Sequence, residues 1–238
     1  MQDYQRAFVD FLVESGAFKL GAFTLKSGRL SPTFVNTGLV EDGRTLGKLG
    51  DAYAAKLLDA LGPTGFDCVF GPAYKGVPLV VATAISLAQK GVVKPYLFDR
   101  KEKKTHGEEA SGKTDAASVL VGHRPKEGER IAMVDDVITD GATKREAVAL
   151  LRSVVAGARF PALVIAVNRQ EVGPDGTDAA SAFTSAAGVQ VFAAVTMTEI
   201  LTHLEDTGRL PADMCAKCVE YLGQYGTAEA KAWAGQRR

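Results

Sequence analysis

Residues 133–143 read Met-Val-Asp-Asp-Val-Ile-Thr-Asp-Gly-Ala-Thr. The apolar run that ends at Asp135 and Asp136 predicts a strand, and the hydroxyl- and glycine-rich turn after it predicts the start of a helix. The N–H groups of such a turn suit a phosphate, to which Thr139 and Thr143 can add hydroxyl donors. Carboxylates repel phosphate but accept hydrogen bonds from neutral hydroxyls, or face a developing cation. A sugar phosphate with a vicinal diol fits both halves, and an N-capped helix with solvated aspartates fits the same residues equally well.

Outward from this stretch, short apolar runs alternate with longer helical patterns. The predicted strands cover residues 67–70, 92–98, 130–134, 162–167 and 189–195, and the predicted helices of this region cover residues 44–61, 77–89 and 142–155. Residues 173–187, rich in Gly, Ala, Ser and Thr, are interpreted as a connection with room for one helical turn. This alternation is typical of the α/β class and predicts a doubly wound, mostly parallel sheet with helices on both faces.

The two ends of the chain depart from this rhythm. Residues 1–43 offer one helix near 4–15 and two short segments, which predicts a small N-terminal hood on a core formed by residues 44–210. Residues 211–238 are predicted to form a C-terminal helix and a polar tail. In that helix Cys215 and Cys218 are interpreted as packed or exposed thiols, because a structural zinc needs four ligands and the sequence offers no second pair.

Composition argues against several classes of partner. The 28 basic and 28 acidic side chains cancel, so no overall charge favours nucleic acid or a membrane surface. No segment is long and apolar enough to span a bilayer, and the N-terminus lacks the pattern of a signal peptide. We therefore expect a cytoplasmic protein that binds neither nucleic acid nor membranes. Its three cysteines give no disulfide framework.

Two further loops carry charge or glycine at positions that suit an anion. Residues 71–76, Gly-Pro-Ala-Tyr-Lys-Gly, form a turn between a strand and a helix, where Lys75 adds a point charge. Residues 100–119 form a long loop that begins with several basic residues, and long loops in compact domains are usually functional or disordered. A tight turn with an exposed lysine and a solvated charge run are the ordinary explanations of these two segments.

Residues 133–143 match, nearly residue for residue, the signature that binds phosphoribosyl pyrophosphate (PRPP) in the type I phosphoribosyltransferases. In that family the two aspartates bind the ribose 2- and 3-hydroxyls, and the following loop holds the 5-phosphate. The resemblance implies these roles for Asp135 and Asp136, and for the loop residues Val137, Ile138, Thr139, Asp140, Gly141, Ala142 and Thr143. It also assigns pyrophosphate contacts to Tyr74 and Lys75, in a loop that often contains a non-proline cis peptide in the family.

The spacing Arg-Lys-x-x-Lys-x-His-Gly at residues 100–107 resembles the catalytic loop of orotate phosphoribosyltransferases specifically. The resemblance implies contacts to pyrophosphate, partly in the neighbouring subunit's site, from Arg100, Lys101, Lys104 and His106. Cations placed there stabilise the growing charge of a leaving group. The implied catalytic residues are Lys101, Lys104, His106, Asp135 and Asp136, whereas Lys103 lies outside the pattern.

The hood segment at residues 23–36 resembles orotate enzymes rather than purine enzymes. The resemblance implies that Lys26 lies near both substrates and that Phe34 packs on the pyrimidine ring, with Val35 where the family usually has a second aromatic. Arg169 matches a family arginine that meets orotate, and its guanidinium suits a planar carboxylate. The implied orotate contacts are Lys26, Phe34, Val35, Thr139 and Arg169.

The resemblance implies transfer of the phosphoribosyl group from PRPP to orotate in de novo pyrimidine (UMP) biosynthesis, forming orotidine 5'-phosphate and pyrophosphate. It also implies a homodimer with shared active sites. Mg²⁺ would arrive largely with the substrate rather than in a dedicated protein site. The alternatives are a phosphoribosyltransferase for another base and a PRPP-binding regulator, although a regulator could discard the basic loop that this chain retains.

Overall fold

The computed structural model describes residues 1–25, 27–101, 119–138 and 141–237. The helices are α1 (Asp3–Glu14), α2 (Gly43–Leu61), α3 (Gly76–Gln89), α4 (Ala142–Val154), α5 (Ala179–Ala187), α6 (Met197–Asp206), α7 (Ala212–Tyr225) and α8 (Ala228–Gly235), with a short 3-10 helix at Thr37–Leu39. The strands are β1 (Phe18–Thr24), β2 (Leu30–Val35), β3 (Cys68–Gly71), β4 (Tyr96–Asp99), β5 (Leu120–Gly122), β6 (Ile131–Asp135), β7 (Leu163–Asn168) and β8 (Val191–Thr196).

A six-stranded sheet with the order β5-β4-β3-β6-β7-β8 forms the centre of the fold. Its strands run parallel except for β5, which pairs with β4 in the antiparallel sense at one edge. From β3 the chain proceeds to β4 on one side and later returns to β6 on the other side. The topological switch point therefore lies between β3 and β6, and open α/β sheets bind ligands beyond the carboxyl ends of the strands at such a point.

Two hydrophobic clusters cover the two faces of this sheet, because successive side chains of a strand point to opposite faces. Val69 and Ala132 belong to a cluster that also contains buried residues of α1, α2, α3, α6, α7 and α8. Phe70 and Met133 belong to a second cluster, with buried residues of α4 and α5. Each large side chain buried in this way contributes roughly 2 kcal/mol to folding. Helices thus lie on both faces, as the alternation of strands and helices predicts.

The N-terminal segment shares the core of the main sheet. β1 and β2 form a separate antiparallel hairpin, whereas Phe8 and Leu12 of α1 are buried in the same cluster as Val69 of β3. The hairpin is the part of the predicted hood that stands apart from the six-stranded sheet.

The C-terminal end differs from the predicted helix and polar tail, because the structure has two helices there, α7 and α8. Ala230 and Ala234 are fully buried on one side of α8, and Trp233 donates from Nε1 to Thr202 Oγ1 at 2.9 Å. In α7 Cys218 is buried in the core and Cys215 is half-buried. Burial raises the pKa of Cys218 to about 12.

Three central elements also differ from prediction. The connection at residues 173–187 contains the nine-residue helix α5, capped by Asp178, whose carboxylate accepts from Ala180 and Ser181 N–H. β4 begins only at Tyr96, after Pro95, because proline removes a ladder donor. β5 was not predicted, since a strand of three residues is too short to show an alternation of apolar and polar side chains. Within the described ranges, no helix is both long enough and apolar enough to cross a membrane.

Candidate active site at the carboxyl ends of β3, β4 and β6

The loop between β3 and α3 is a tight turn that only glycine permits at both ends. A Cβ on Gly71 would lie 2.1 Å from Gly76 O, and a Cβ on Gly76 would lie 2.7 Å from Gly71 C. The peptide bond between Ala73 and Tyr74 is cis, as the family resemblance implies for this loop. Ala73 N–H donates to Asp99 Oδ1 at 2.6 Å, so the buried carboxylate at the end of β4 fixes the loop. The result is a turn that exposes Tyr74 and Lys75 at the switch point.

The two aspartates at the end of β6 are buried and each is held in the same way. Asp135 Oδ1 accepts the Asp136 N–H at 2.9 Å, and Asp136 Oδ1 accepts the Val137 N–H at 2.7 Å. The second oxygen of each carboxylate contacts a lysine: Asp135 Oδ2 lies 2.6 Å from Lys144 Nζ, and Asp136 Oδ2 lies 2.7 Å from Lys75 Nζ. The carboxylates are therefore oriented by the backbone and charge-compensated by lysines before any ligand binds.

The two lysine pairs differ in their exposure to solvent. The Lys144–Asp135 pair is sealed, with side chains 9% and 8% exposed, whereas the Lys75 side chain is 65% exposed. Burial raises the pKa of Asp135, and the charge and hydrogen bond of Lys144 oppose that rise. The hydrogen bond and charge of Asp136 raise the pKa of Lys75. Lys144 thus has a structural role beneath the site, while Lys75 is free to turn toward an anion.

We expect Lys144→Met to destabilise the fold by about 3 kcal/mol at neutral pH, because it leaves a buried carboxylate without its cation. Without Lys144 the pKa of Asp135 rises further, so its charged form is the costly one. The loss of stability is therefore complete above the pKa that Asp135 has in the variant. It becomes smaller as the pH falls and Asp135 takes up a proton. Denaturant unfolding at pH 8 and pH 5 measures the difference.

Lys217→Met is the matched control for this prediction, because Lys217 pairs with Asp213 on α7 with both side chains exposed to solvent. Exposed pairs contribute at most about 1 kcal/mol, so this variant should change stability little at either pH. An equal loss of stability in Lys144→Met at pH 8 and pH 5 would show that the charge of Asp135 is not the cause.

The first turn of α4 continues the site after β6. Gly141 precedes the helix with φ +69°, a left-handed conformation that glycine adopts without cost. Ala142 and the exposed Thr143 begin the helix, so their N–H groups lie at its positive end. Val137 and Ile138 connect β6 to this region and are half-buried. The positive end of the helix and the Thr143 hydroxyl are features that suit an anion.

A cavity of about 430 Å³ opens beside the Lys75–Asp136 pair. Its other walls come from the 3-10 helix, the N-terminal half of α2 and the first turn of α3, including Thr37, Leu46 and Leu79. A larger cavity of about 660 Å³ lies between α6, α7 and Arg237, which follows α8, and it includes none of the residues at the strand ends. Of these two cavities, only the smaller one is lined by Lys75 and Asp136 at the strand ends.

The predicted base-binding residues lie on β2 and after β7. The Phe34 ring stacks on the Phe23 ring, with centroids 5.2 Å apart, and is 37% exposed. Val35 is half-buried and packs against the core cluster that contains Val69. Arg169 follows β7, and its Nη2 lies 2.5 Å from Glu171 Oε1. The hairpin and this turn are joined by Arg29, whose Nη1 donates to Val172 O at 2.6 Å.

Sequence reasoning placed the basic residues after β4, and the structure describes only two of them. Arg100 and Lys101 are exposed and directly follow Asp99, at the same end of the sheet as Lys75 and Asp136. The other predicted site residues Lys26, Lys104, His106, Thr139 and Asp140 lie outside the described residues.

Sequence reasoning missed four residues that support the site: Lys144, Asp99, Tyr53 and Glu171. Tyr53 is fully buried and donates from its hydroxyl to Asp135 O at 2.7 Å. Asp99 carried a usable signal, because a carboxylate at a predicted strand end lies at the ligand edge. The partners of Lys144 and Tyr53 depend on how α4 and α2 pack, which no local pattern reveals.

One cluster of three possible metal ligands occurs in the part of the chain that the structure describes: Cys68, His123 and Glu129. It lies at the amino ends of β3 and β6, opposite the carboxylates, and His123 Nε2 is 2.8 Å from Glu129 Oε1. At the carboxyl ends, the carboxylates of Asp99, Asp135 and Asp136 each contact a lysine or a backbone N–H group. A cation there would draw most of its ligands from a bound substrate.

Comparison with known proteins places the site in a family. A family model described as phosphoribosyl transferase domain matches residues 37–199. The orotate phosphoribosyltransferase of Methylococcus capsulatus is 42% identical over 229 residues, covering 96% of this chain and 100% of that protein. The chain belongs to the orotate phosphoribosyltransferase family. The orotate phosphoribosyltransferase of Colwellia psychrerythraea is 44% identical to this chain, over 87% of each protein.

The similarity also holds for the three-dimensional structure. The crystal structure of orotate phosphoribosyltransferase from Francisella tularensis superimposes with a TM-score of 0.78 at 31% identity, covering 93% of this chain and 100% of that one. The predictions of the orotate phosphoribosyltransferase family and of a doubly wound α/β fold are thereby confirmed.

Proposed function

We propose that this chain transfers the phosphoribosyl group of PRPP to orotate, forming orotidine 5'-phosphate and pyrophosphate in pyrimidine biosynthesis. The observation that carries the proposal is the pair of buried carboxylates at the end of β6, beside the exposed Lys75 of the β3–α3 loop. The carboxylates can accept hydrogen bonds from hydroxyls, and Lys75 can bind an anion, at the switch point of an open sheet where ligands bind. The membership of the chain in the orotate phosphoribosyltransferase family supports orotate as the base.

Lys75 and Asp136 change partners when PRPP binds. In the free protein Lys75 neutralises Asp136 at 2.7 Å. Pyrophosphate offers Lys75 a more highly charged partner, so the lysine turns to it and leaves Asp136 Oδ2 open to a ribose hydroxyl. Asp135 stays fixed by Lys144 beneath it. Binding of PRPP is thus coupled to the release of the carboxylate that holds its ribose.

The reaction itself is a displacement at ribose C1 through a cationic, oxocarbenium-like state. Asp136 and Asp135 lie beside the ribose and stabilise that positive charge. Lys75, Arg100 and Lys101 lie at the pyrophosphate side and stabilise the negative charge that grows as the C1–O bond breaks. The sequence resemblance adds Lys104 and His106 to this set. Orotate attacks as its ring-nitrogen anion, so no strong general base is required.

The carboxylate of orotate is the ligand that we assign to Arg169. The guanidinium can donate two parallel hydrogen bonds to a planar carboxylate, and in the free protein one of its N–H groups is held by Glu171 at 2.5 Å. Phe34 presents half-exposed aromatic surface on which a pyrimidine ring can pack. Lys26 and Thr139 complete the base contacts that the family resemblance implies.

Mg²⁺ fits this site as an ion that accompanies the substrate. Asp136 is the strand-end carboxylate that lines the cavity, and Mg²⁺ typically combines one or two carboxylates with substrate phosphates and water. When bound, Mg²⁺ neutralises part of the charge on pyrophosphate. Asp136 would be the protein residue that contacts the ion, since it lines the cavity.

We further propose a homodimer in which the loop carrying Lys104 serves the partner's site, as the family resemblance implies. We propose the cytoplasm as its location, which the free thiols of Cys68, Cys215 and Cys218 support, because reducing compartments keep cysteines unpaired.

The direct test is to incubate the protein with PRPP, Mg²⁺ and orotate while following the ultraviolet absorbance of orotate. Absorbance should fall only when PRPP and Mg²⁺ are both present, and a chelator should stop the reaction until Mg²⁺ is restored. Unchanged orotate at micromolar enzyme, with adenine or guanine consumed in its place, would refute the proposal.

Arg169→Ala is expected to raise the KM for orotate about thirtyfold, roughly 2 kcal/mol, while the KM for PRPP stays within about twofold. The reason is the loss of a charge-paired, two-bond contact to the orotate carboxylate, partly compensated by water at a side chain that is 29% exposed. Initial rates with each substrate varied in turn measure both constants. Arg209→Ala, which removes an ion pair with Asp10 outside the site, is the control. Equal changes in both KM values would remove Arg169 from the carboxylate site.

A further inference from the structure

Helix α7 and the segment that joins it to α8 hold the turn that carries Arg169. Val172 N–H donates to Tyr225 O at 2.9 Å, and Thr227 N–H donates to Gln170 O at 2.8 Å. Gln170 has φ +55°, and its side-chain oxygen accepts the Thr198 N–H at 3.0 Å. Because these bonds fix the turn from the C-terminal side, α7 forms part of the wall behind Arg169.

Two buried polar atoms behind this wall have no hydrogen-bond partner among the described residues: Arg169 Nε and Tyr221 Oη. Tyr221 belongs to α7 and is only 6% exposed. Buried polar atoms are almost always paired, so two unpaired atoms in one place call for an explanation. A partner that is present only in the substrate complex is such an explanation.

The carboxylate of Glu171 interacts with both residues: it pairs with Arg169, and its charge acts on Tyr221. It accepts from Arg169 Nη2 at 2.5 Å, and its side chain is only 14% exposed. Burial raises the pKa of Tyr221, the charge of Glu171 raises it further, and the charge of Arg169 opposes this. Glu171 and Ser31 are also close enough to act on this pKa as weak hydrogen-bond partners. The hydroxyl of Ser31, which lowers the pKa of Tyr221, already donates to Thr33 O at 2.8 Å. Tyr221 therefore remains the hydroxyl with a proton to offer to Glu171.

We propose that Tyr221 is a positioning residue of the orotate subsite, whose hydroxyl donates to Glu171 when Arg169 turns to the carboxylate of the substrate. Arg169 can use both donors of one guanidinium edge for a ligand only if Nη2 leaves Glu171. The release would strand a buried carboxylate, which is costly unless another donor replaces the arginine. Tyr221 supplies that donor, so the exchange leaves Glu171 paired and gives Tyr221 Oη its partner. The inference rests on the proposed function, because it takes orotate as the ligand of Arg169.

Tyr221→Phe removes the hydroxyl and keeps the ring. Because this hydroxyl makes no hydrogen bond of normal geometry in the free protein, the melting temperature should stay the same or rise. The KM for orotate should rise about tenfold, as expected for a lost hydrogen bond to a charged group, and the KM for PRPP should not change. Tyr225→Phe is the matched control on the next turn of α7, and it should leave both constants unchanged.

The outcomes separate the possibilities. A selective rise in the orotate KM, with the melting temperature maintained and Tyr225→Phe like wild type, supports the exchange. An unchanged orotate KM in Tyr221→Phe, while wild type consumes orotate, overturns the role of Tyr221 and leaves the proposed function intact. A fall in melting temperature with both KM values raised also overturns it, because the hydroxyl would then be structural. Wild type that fails to consume orotate overturns the proposed function and this inference together.

Discussion

Asp136→Asn is expected to lower kcat/KM for PRPP about a thousandfold, because the substitution removes a negative charge beside the ribose where positive charge develops. The side chain is held by the Val137 N–H and is close to isosteric with asparagine, so the local geometry should be retained. Lys75 loses its partner, but it is exposed and remains solvated. Initial rates at saturating orotate and varied PRPP give the constant.

Asp67→Asn is the control for this variant. Asp67 lies at the amino end of β3, where Arg130 holds its carboxyl pKa at about 2, and its substitution removes a charge at the opposite end of the sheet. It should leave kcat/KM within about twofold of wild type, since the effect of a solvent-exposed charge is screened beyond about 10 Å at ordinary salt. Asp136→Asn with unchanged kcat/KM for PRPP would remove Asp136 from the ribose site.

Lys104→Ala is expected to lower kcat about a thousandfold while PRPP binding stays measurable, because a cation at the leaving group acts mainly on charge that develops in the transition state. Lys103→Ala is the matched control, since Lys103 lies next to Lys104 but outside the pattern of the family's loop. It should retain near wild-type kcat. Equal losses in the two variants would mean that the total charge of the loop matters and not the position of Lys104.

Mixing Lys104→Ala with Asp136→Asn tests the shared site. If Lys104 serves the partner's site and Asp136 its own, each heterodimer has one site with both defects and one site with neither. An equimolar, fully exchanged mixture should then recover about a quarter of wild-type activity, because about half of the dimers are heterodimers with one working site each. Demonstrated subunit exchange without recovered activity would place Lys104 in its own chain's site.

The central sheet and the strand-end chemistry were predictable because both leave local patterns. A strand that ends in two aspartates, followed by a hydroxyl- and glycine-rich turn, predicts carboxylates at the ligand edge of a parallel sheet. The structure places Asp135 and Asp136 at the end of β6, next to Lys75. The loops after β3 and β6 were found for the same reason, since a glycine-containing turn between a strand and a helix is a local sequence signal.

The supporting contacts were not predictable, since they join residues far apart in the sequence. Tyr53 and Asp135, whose hydroxyl and carbonyl are hydrogen-bonded, lie 82 residues apart in the sequence. The turn that carries Arg169 is likewise bonded to the distant end of α7, through Val172 N–H and Tyr225 O. α5 and α8 were missed because alanine, serine and glycine give weak amphipathic patterns, and their helices depend on burial of small residues such as Ala180 and Ala230. Tertiary packing decides such segments.

The selectivity for the base is the most direct test of the central claim that this chain is an orotate enzyme with Arg169 at the carboxylate. We would measure kcat/KM for orotate, uracil, adenine and guanine under identical PRPP and Mg²⁺. We expect orotate to be preferred over uracil by at least about a hundredfold, because uracil lacks only the carboxylate that Arg169 binds, and we expect no reaction with the purines. Uracil used as well as orotate, or a purine used in preference to both, would contradict it.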